Sequence, residues 1–122
     1  MPATSINTGL KHILKYWLAV LLWMGIIFYF SSLPGKDIPS LFPFQDVLFH
    51  FIIYAGLAYL FKRALKNTCH KLTPARLISL ALIFCFIYGL SDEFHQSFVA
   101  GRDASSLDLF IDTLGSFTGS FF

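Results

Sequence analysis

The chain has 122 residues, 56% of them hydrophobic and 18% aromatic, with 13% charged residues and a formal net charge of +2. Soluble domains carry about 25% charged residues. A water-soluble globule of ordinary composition is therefore excluded, and a mean hydropathy of +0.66 points to lipid. The length suits one domain, expected over residues 1–122 as an all-α, integral-membrane four-helix bundle.

The first apolar run, Ile13 to Phe30, follows Lys11 and Lys15 as the core of a signal peptide would. It ends in Phe28-Tyr29-Phe30, bulky where a cleavage site needs small residues, so it reads as a retained span over about 13–31. Leu33-Pro34-Gly35, Ile38-Pro39 and Phe42-Pro43-Phe44 then stop the helix. Ile38, Leu41, Phe42 and Phe44 suit a segment lying in the membrane interface.

A second span is expected over 46–62, followed by a loop carrying Lys62, Arg63, Lys66, Lys71 and Arg76. Thr73-Pro74 marks the start of the third span (75–91), with Pro74 in its first turn. The fourth (105–122) opens after Gly101-Arg102-Asp103, with Ser105 or Ser106 as cap and Asp108 where the helix dipole favours an anion. These spans sit near the short end of the ~17–25 residues a crossing needs. Gly115-Ser116-Phe117-Thr118-Gly119 gives the fourth a small-xxx-small face, suited to packing inside the bundle or to a homodimer through Gly115 and Gly119. Cys69 and Cys85 have no metal-type spacing and are expected to be unpaired.

Sorted by loop, the charges divide sharply. Lys11, Lys15 and the five basic residues of the second loop fall on one side with no acid among them. Lys36 and Arg102 share the other side with all seven acids. Basic short loops stay cytoplasmic, so both termini are expected inside, in a multi-pass membrane protein. The basic loop reads as a topology signal attracted to anionic lipid; no motif supports nucleic-acid binding.

Ionisable groups between apolar runs are costly and mark a site or a fixed helix contact. Asp46, His50 and Tyr54 recur every four residues and share one helical face. Asp108 and Asp112 repeat that spacing, and the end of the third span supplies Tyr88, Asp92, Glu93, His95 and Gln96. With Arg102 and Asp103 they form one acid-rich outer layer, which needs protonated carboxyls, a charged histidine or a bound cation. Three readings stay open. A divalent metal could sit on Asp46, His50, Asp92, His95 and Asp108. His50, Asp92, Glu93 and His95 could perform acid–base catalysis while Asp46, Tyr54, Gln96, Arg102, Asp108 and Asp112 bind ligand. Or the layer is a hydrogen-bond network with Arg102 paired to Asp92 or Asp108. No nucleophile elbow, His-Glu-x-x-His or phosphate loop is present. His12 and His70, in basic flanks, are expected to be solvated.

These residues resemble the VanZ-like family of small bacterial membrane proteins. The likeness runs from Phe30-Ser31-Ser32-Leu33-Pro34-Gly35 through Asp46-x-x-x-His50-Phe51-x-x-Tyr54. It is strongest in Ser91-Asp92-Glu93-x-His95-Gln96-x-Phe98-Val99-x-Gly101-Arg102-x-x-Ser105-x-x-Asp108-x-x-x-Asp112, with Gly115 and Gly119 beyond. Two positions depart from the family pattern: Val47, where Lys is frequent, and Asp112, where Asn is frequent. Both deepen the acid crowding. The resemblance implies a link to resistance against the glycopeptide teicoplanin and no settled reaction. The functional expectations are an envelope factor binding a lipid, lipid-linked or glycopeptide ligand; a membrane hydrolase or transferase of a lipid-linked phosphate or ester, with or without a metal; or an ion conduit gated by Asp112.

Overall fold

The end of α1 and the start of α3 fall where the sequence places proline and a capping hydroxyl. The computed structural model describes residues 2–102 and 106–122, with side chains from residue 9 onward. Its elements are α1 (Pro2–Ser32), a single 3-10 turn (Gly35–Asp37), α2 (Gln45–Thr68), α3 (Pro74–Gln96) and α4 (Ser106–Gly119). Among the described residues there is no strand. α1 stops two residues before Pro34, whose ring disfavours helical backbone in the residue preceding it. α3 begins at Pro74, with the Thr73 hydroxyl accepting from the Arg76 amide. Asp103 and Ser105, expected in the acid layer and as a cap of α4, lie outside the described residues.

Three helices are long and apolar enough to cross a membrane: Gly9–Ser32, Gln45–Thr68 and Pro74–Gln96. α2 and α3 continue past the spans read from hydropathy, because charged residues at 62–66 and 91–96 interrupt the apolar run without breaking the helix. α4 has 14 residues, about 21 Å of helix, and lies along α2 and α3. α2 touches all three other helices, while α1 and α4 do not meet among the described residues. The α2–α3 pair thus forms the centre of the bundle, and α1 and α4 flank it.

The centre is built from small and medium side chains: Val20, Ile27, Ile53, Leu57, Ala58 and Cys85 are all buried. In lipid such contacts gain little from solvent exclusion, so close packing and interhelical hydrogen bonds matter more. Trp23 Nε1 donates to the Ile53 carbonyl at 2.9 Å. Tyr88 donates its hydroxyl to the Met24 carbonyl at 2.7 Å, and Trp17 Nε1 donates to Thr68 Oγ1 at 2.8 Å. Each such bond contributes about 0.6–2 kcal/mol in a bilayer. These bonds tie α1 to α2 and α3. Outside, Leu18, Leu21 and Leu22 of α1 stand more than half exposed, a face suited to lipid chains and too large an apolar patch for water.

The two ends of the bundle differ chemically. At one, Lys62 donates to the Ser120 carbonyl at 2.6 Å, and the Arg63 guanidinium lies 4.9 Å from the Tyr16 ring centroid. The other end holds the acids and two of the histidines.

Candidate functional site

The site is assembled at the start of α2, the end of α3 and the first half of α4. His50 and Tyr54, one turn apart on α2, hold their rings parallel, with centroids 6.5 Å apart. His50 donates from Nδ1 to Asp112 Oδ1 at 2.7 Å. Both residues are buried, Asp112 to 1% exposure. The second oxygen of that carboxylate, Oδ2, is buried without a hydrogen-bond partner. One turn deeper, Tyr54 donates its hydroxyl to Asp92 Oδ2 at 3.3 Å. Asp92 and Gln96 occupy the buried face of α3, four residues apart and therefore stacked.

Above this layer opens a cleft of about 490 Å³. Its apolar wall is Ile38, Phe42, Phe44 and Val47; its polar wall is Asp46, Gln96, Arg102 and Asp108; His50 contributes to its floor. A second cavity of about 20 Å³ shares His50, Gln96 and Arg102 and reaches Tyr54 and Asp92. That volume is enough for one water molecule.

Two loops shape the cleft. The Gly35 amide donates to the Ala100 carbonyl at 3.0 Å. A Cβ on Gly35 would collide with the Gly101 carbonyl, and Gly101 itself has φ +73°, a conformation glycine adopts without penalty. Arg102 donates from Nη1 to the carbonyls of Phe30 and Leu33, each at 3.0 Å. It thereby closes the open end of α1, where helix carbonyls lack partners. On the other wall, the Gln45 side chain accepts from the Leu41 amide and donates to the Pro39 carbonyl, both at 2.7 Å. This clamp holds Phe44 at φ 62°, a strained left-handed geometry for a bulky residue.

The residues singled out in the sequence divide accordingly. His50, Tyr54, Asp92, Gln96 and Asp112 form the buried layer, while Asp46, Arg102 and Asp108 line the cleft. Glu93 is half-buried, and one of its carboxylate oxygens lies within 4.8 Å of ligating atoms of both His50 and Asp112. His95 is not brought to them. It stacks on Phe28 at 4.6 Å, and its Nε2 lies 2.9 Å from Ser32 Oγ. Because Ser32 donates its one proton to the Phe28 carbonyl, His95 Nε2–H is the donor in that contact. The roles of Gln45 and Ser32 escaped sequence reading. Gln45 sits immediately before the Asp46 motif, but nothing marks Ser32 as a partner for a side chain 63 positions away. Both cysteines are free, Cys69 exposed and Cys85 buried.

Fold and site together define a small helical membrane protein with a buried imidazole–carboxylate layer beneath a cleft at one end. The chain belongs to the VanZ/LLP1 family, whose sequence profile matches residues 16–122. Neither a curated protein nor a solved structure matches it.

Proposed function

We propose that this VanZ/LLP1-family protein is an envelope factor that binds the polar head of a lipid, lipid-linked precursor or glycopeptide without turning it over. The observation that carries this reading is the cleft: 490 Å³, within the ~300–1,000 Å³ of small-molecule sites, and lined unequally. A head with hydrogen-bonding groups meets Gln96, Arg102 and the acids, while a hydrophobic tail runs along Leu41, Phe42 and Phe44, which stand exposed beside it. A whole glycopeptide exceeds the cleft, so a part of it would be held.

The test is binding of teicoplanin and of a polyprenyl-linked envelope precursor to the protein in nanodiscs. At least one should bind saturably, weaken by about tenfold in Gln96→Ala, which removes a buried hydrogen-bonding group of roughly 1.4 kcal/mol, and be recovered unchanged. No saturable binding of either would end the proposal. Recovery of a cleaved product would favour the hydrolase or transferase reading, which draws on the His50–Asp112 bond: a carboxylate holding an imidazole is the usual means of orienting a general base. A conduit finds less support. Below Asp112, the buried Ser116 and Ser120 hydroxyls are donated to their own helix's carbonyls.

In this reading the cleft faces outward and the basic end, with both termini, faces the cytoplasm. Native cysteines offer the check. Cys69 is exposed just after α2, on the basic end, and Cys85 is buried. In intact cells a membrane-impermeant maleimide should leave the protein unlabelled; once the membrane is opened, Cys69 should react and Cys85 should not. Labelling of Cys69 in intact cells would reverse the orientation.

A further inference from the structure

We propose that His50, Glu93 and Asp112 form a binding site for a divalent transition-metal cation of the zinc or manganese class. One residue comes from each of α2, α3 and α4, and a His50 nitrogen and one carboxylate oxygen from each acid lie within 4.8 Å of one another. Ligand atoms around a tetrahedral zinc stand about 3.3 Å apart at bond lengths of ~2.0–2.1 Å, so side-chain rotation of about an ångström closes the site.

A second observation is independent of this clustering. Asp112 Oδ2 is buried without a hydrogen-bond partner, in a side chain only 1% exposed. A carboxylate oxygen in that position is costly unless something binds it, and a cation would supply the missing partner. Gly89 packs beside this oxygen, where a Cβ would stand 3.4 Å from Oδ2 and 3.1 Å from Leu109 Cδ1. The donor chemistry selects the metal. One imidazole with two carboxylates suits zinc, manganese or iron(II), whereas magnesium and calcium favour all-oxygen ligation. Two carboxylates also match the charge of one divalent ion. Three protein ligands leave coordination positions for water or for a group bound from the cleft, whose floor His50 shares. Of the set expected from spacing only His50 remains: Asp46 and Asp108 line the cleft, Asp92 accepts from Tyr54, and His95 packs against α1. The inference does not depend on what the cleft binds.

Cobalt(II) titration of the chelator-treated protein in detergent tests it, since Co²⁺ substitutes at zinc sites and absorbs visibly. Wild type should bind about one Co²⁺ per chain, with a ligand-field band and a rise in unfolding temperature. Glu93→Gln and Asp112→Asn should each weaken that binding by roughly tenfold or more, with helical content retained by circular dichroism. His70→Ala, on the exposed opposite end, should bind as wild type does. Failure of wild type to bind stoichiometrically, or to gain thermal stability from Co²⁺, overturns the proposal without any variant being needed. Unchanged affinity in Glu93→Gln overturns it equally.

Discussion

Gly119→Ala is expected to destabilise the bundle by about 3 kcal/mol, and the Gly115→Ala/Gly119→Ala double variant to fail to accumulate as a folded protein. A Cβ at Gly119 would overlap the Ala55 carbonyl oxygen and stand 2.6 Å from its carbon. One at Gly115 would overlap the Phe51 carbonyl oxygen and stand 3.0 Å from its carbon. The obstacle in both cases is the backbone of α2, which cannot rotate aside as a side chain can. Relief requires α4 to move outward as a whole. Overpacking of this kind costs about 1–3 kcal/mol per site and occasionally more, and the loss is not confined to the contact. Asp112 lies on α4 one turn before Gly115 and bonds to His50 of α2, so separating the helices opens the buried layer as well. Gly25 supplies the control. It lies in α1 with nothing within 4 Å of its would-be Cβ, so Gly25→Ala should be neutral or add up to about 1 kcal/mol of helix propensity. Thermal unfolding in detergent separates Gly119→Ala from Gly25→Ala, and the yield of folded protein reads the double variant. A Gly119→Ala protein within about 0.5 kcal/mol of wild type would mean that α2 and α4 do not meet so closely.

The number of helices and the start of α3 were legible because proline and the Thr73 hydroxyl act locally on the backbone, whereas α1 begins at Pro2, ahead of the apolar run that marked it. Helix ends were less legible. The end of α3 was placed at the first charged residues, yet the helix runs on to Gln96, since Cys85, Gly89, Asp92 and Gln96 keep one continuous buried stripe. Small-residue spacing on α4 announced a close contact, here made with α2. The polar layer was visible as a set of residues but not as a set of partners. On α3, Glu93 lies about 100° round the helix from Asp92, and His95 about 60° round in the opposite sense. Those angles follow from numbering alone. Which helix stands on each side does not. With α4 on one flank and α1 on the other, Glu93 joins Asp112 while His95 goes to Ser32 and Phe28. Hydropathy and spacing alone could not choose between the two histidines. Arg102 escaped for a similar reason: its Nη1 partners are main-chain carbonyls 69 and 72 residues away, and carbonyls carry no sequence signal.

Breaking the His50–Asp112 pair from one side is expected to cost more than removing it from both. The bond is 2.7 Å long, and the two side chains are 10% and 1% exposed. In such surroundings a lone carboxylate loses the partner that offset its desolvation. His50→Leu should therefore destabilise by about 3–5 kcal/mol, because Asp112 is left with both oxygens buried and no hydrogen bond from His50. Asp112→Leu should cost less, since a neutral imidazole tolerates isolation better than a carboxylate and also borders the cleft. The double variant, with two leucines filling the space, should cost less than His50→Leu alone, as apolar replacement of a whole buried pair does, and therefore less than the sum of the single losses. Asp112→Asn separates charge from shape: the amide oxygen can still accept from Nδ1, so the fold should survive with a loss of about 1 kcal/mol. These energies are read as a double-mutant cycle from denaturant or thermal unfolding in one detergent, with metal chelated throughout so that only the protein's own contacts are compared. Strict additivity, within about 0.5 kcal/mol, would mean that the two side chains do not support one another. The cleft would then rest on the glycine contact, the Arg102 bonds and the Gln45 clamp. Strong coupling would instead make the imidazole–carboxylate bond the pin that fixes α2 against α4 at the depth where the cleft ends.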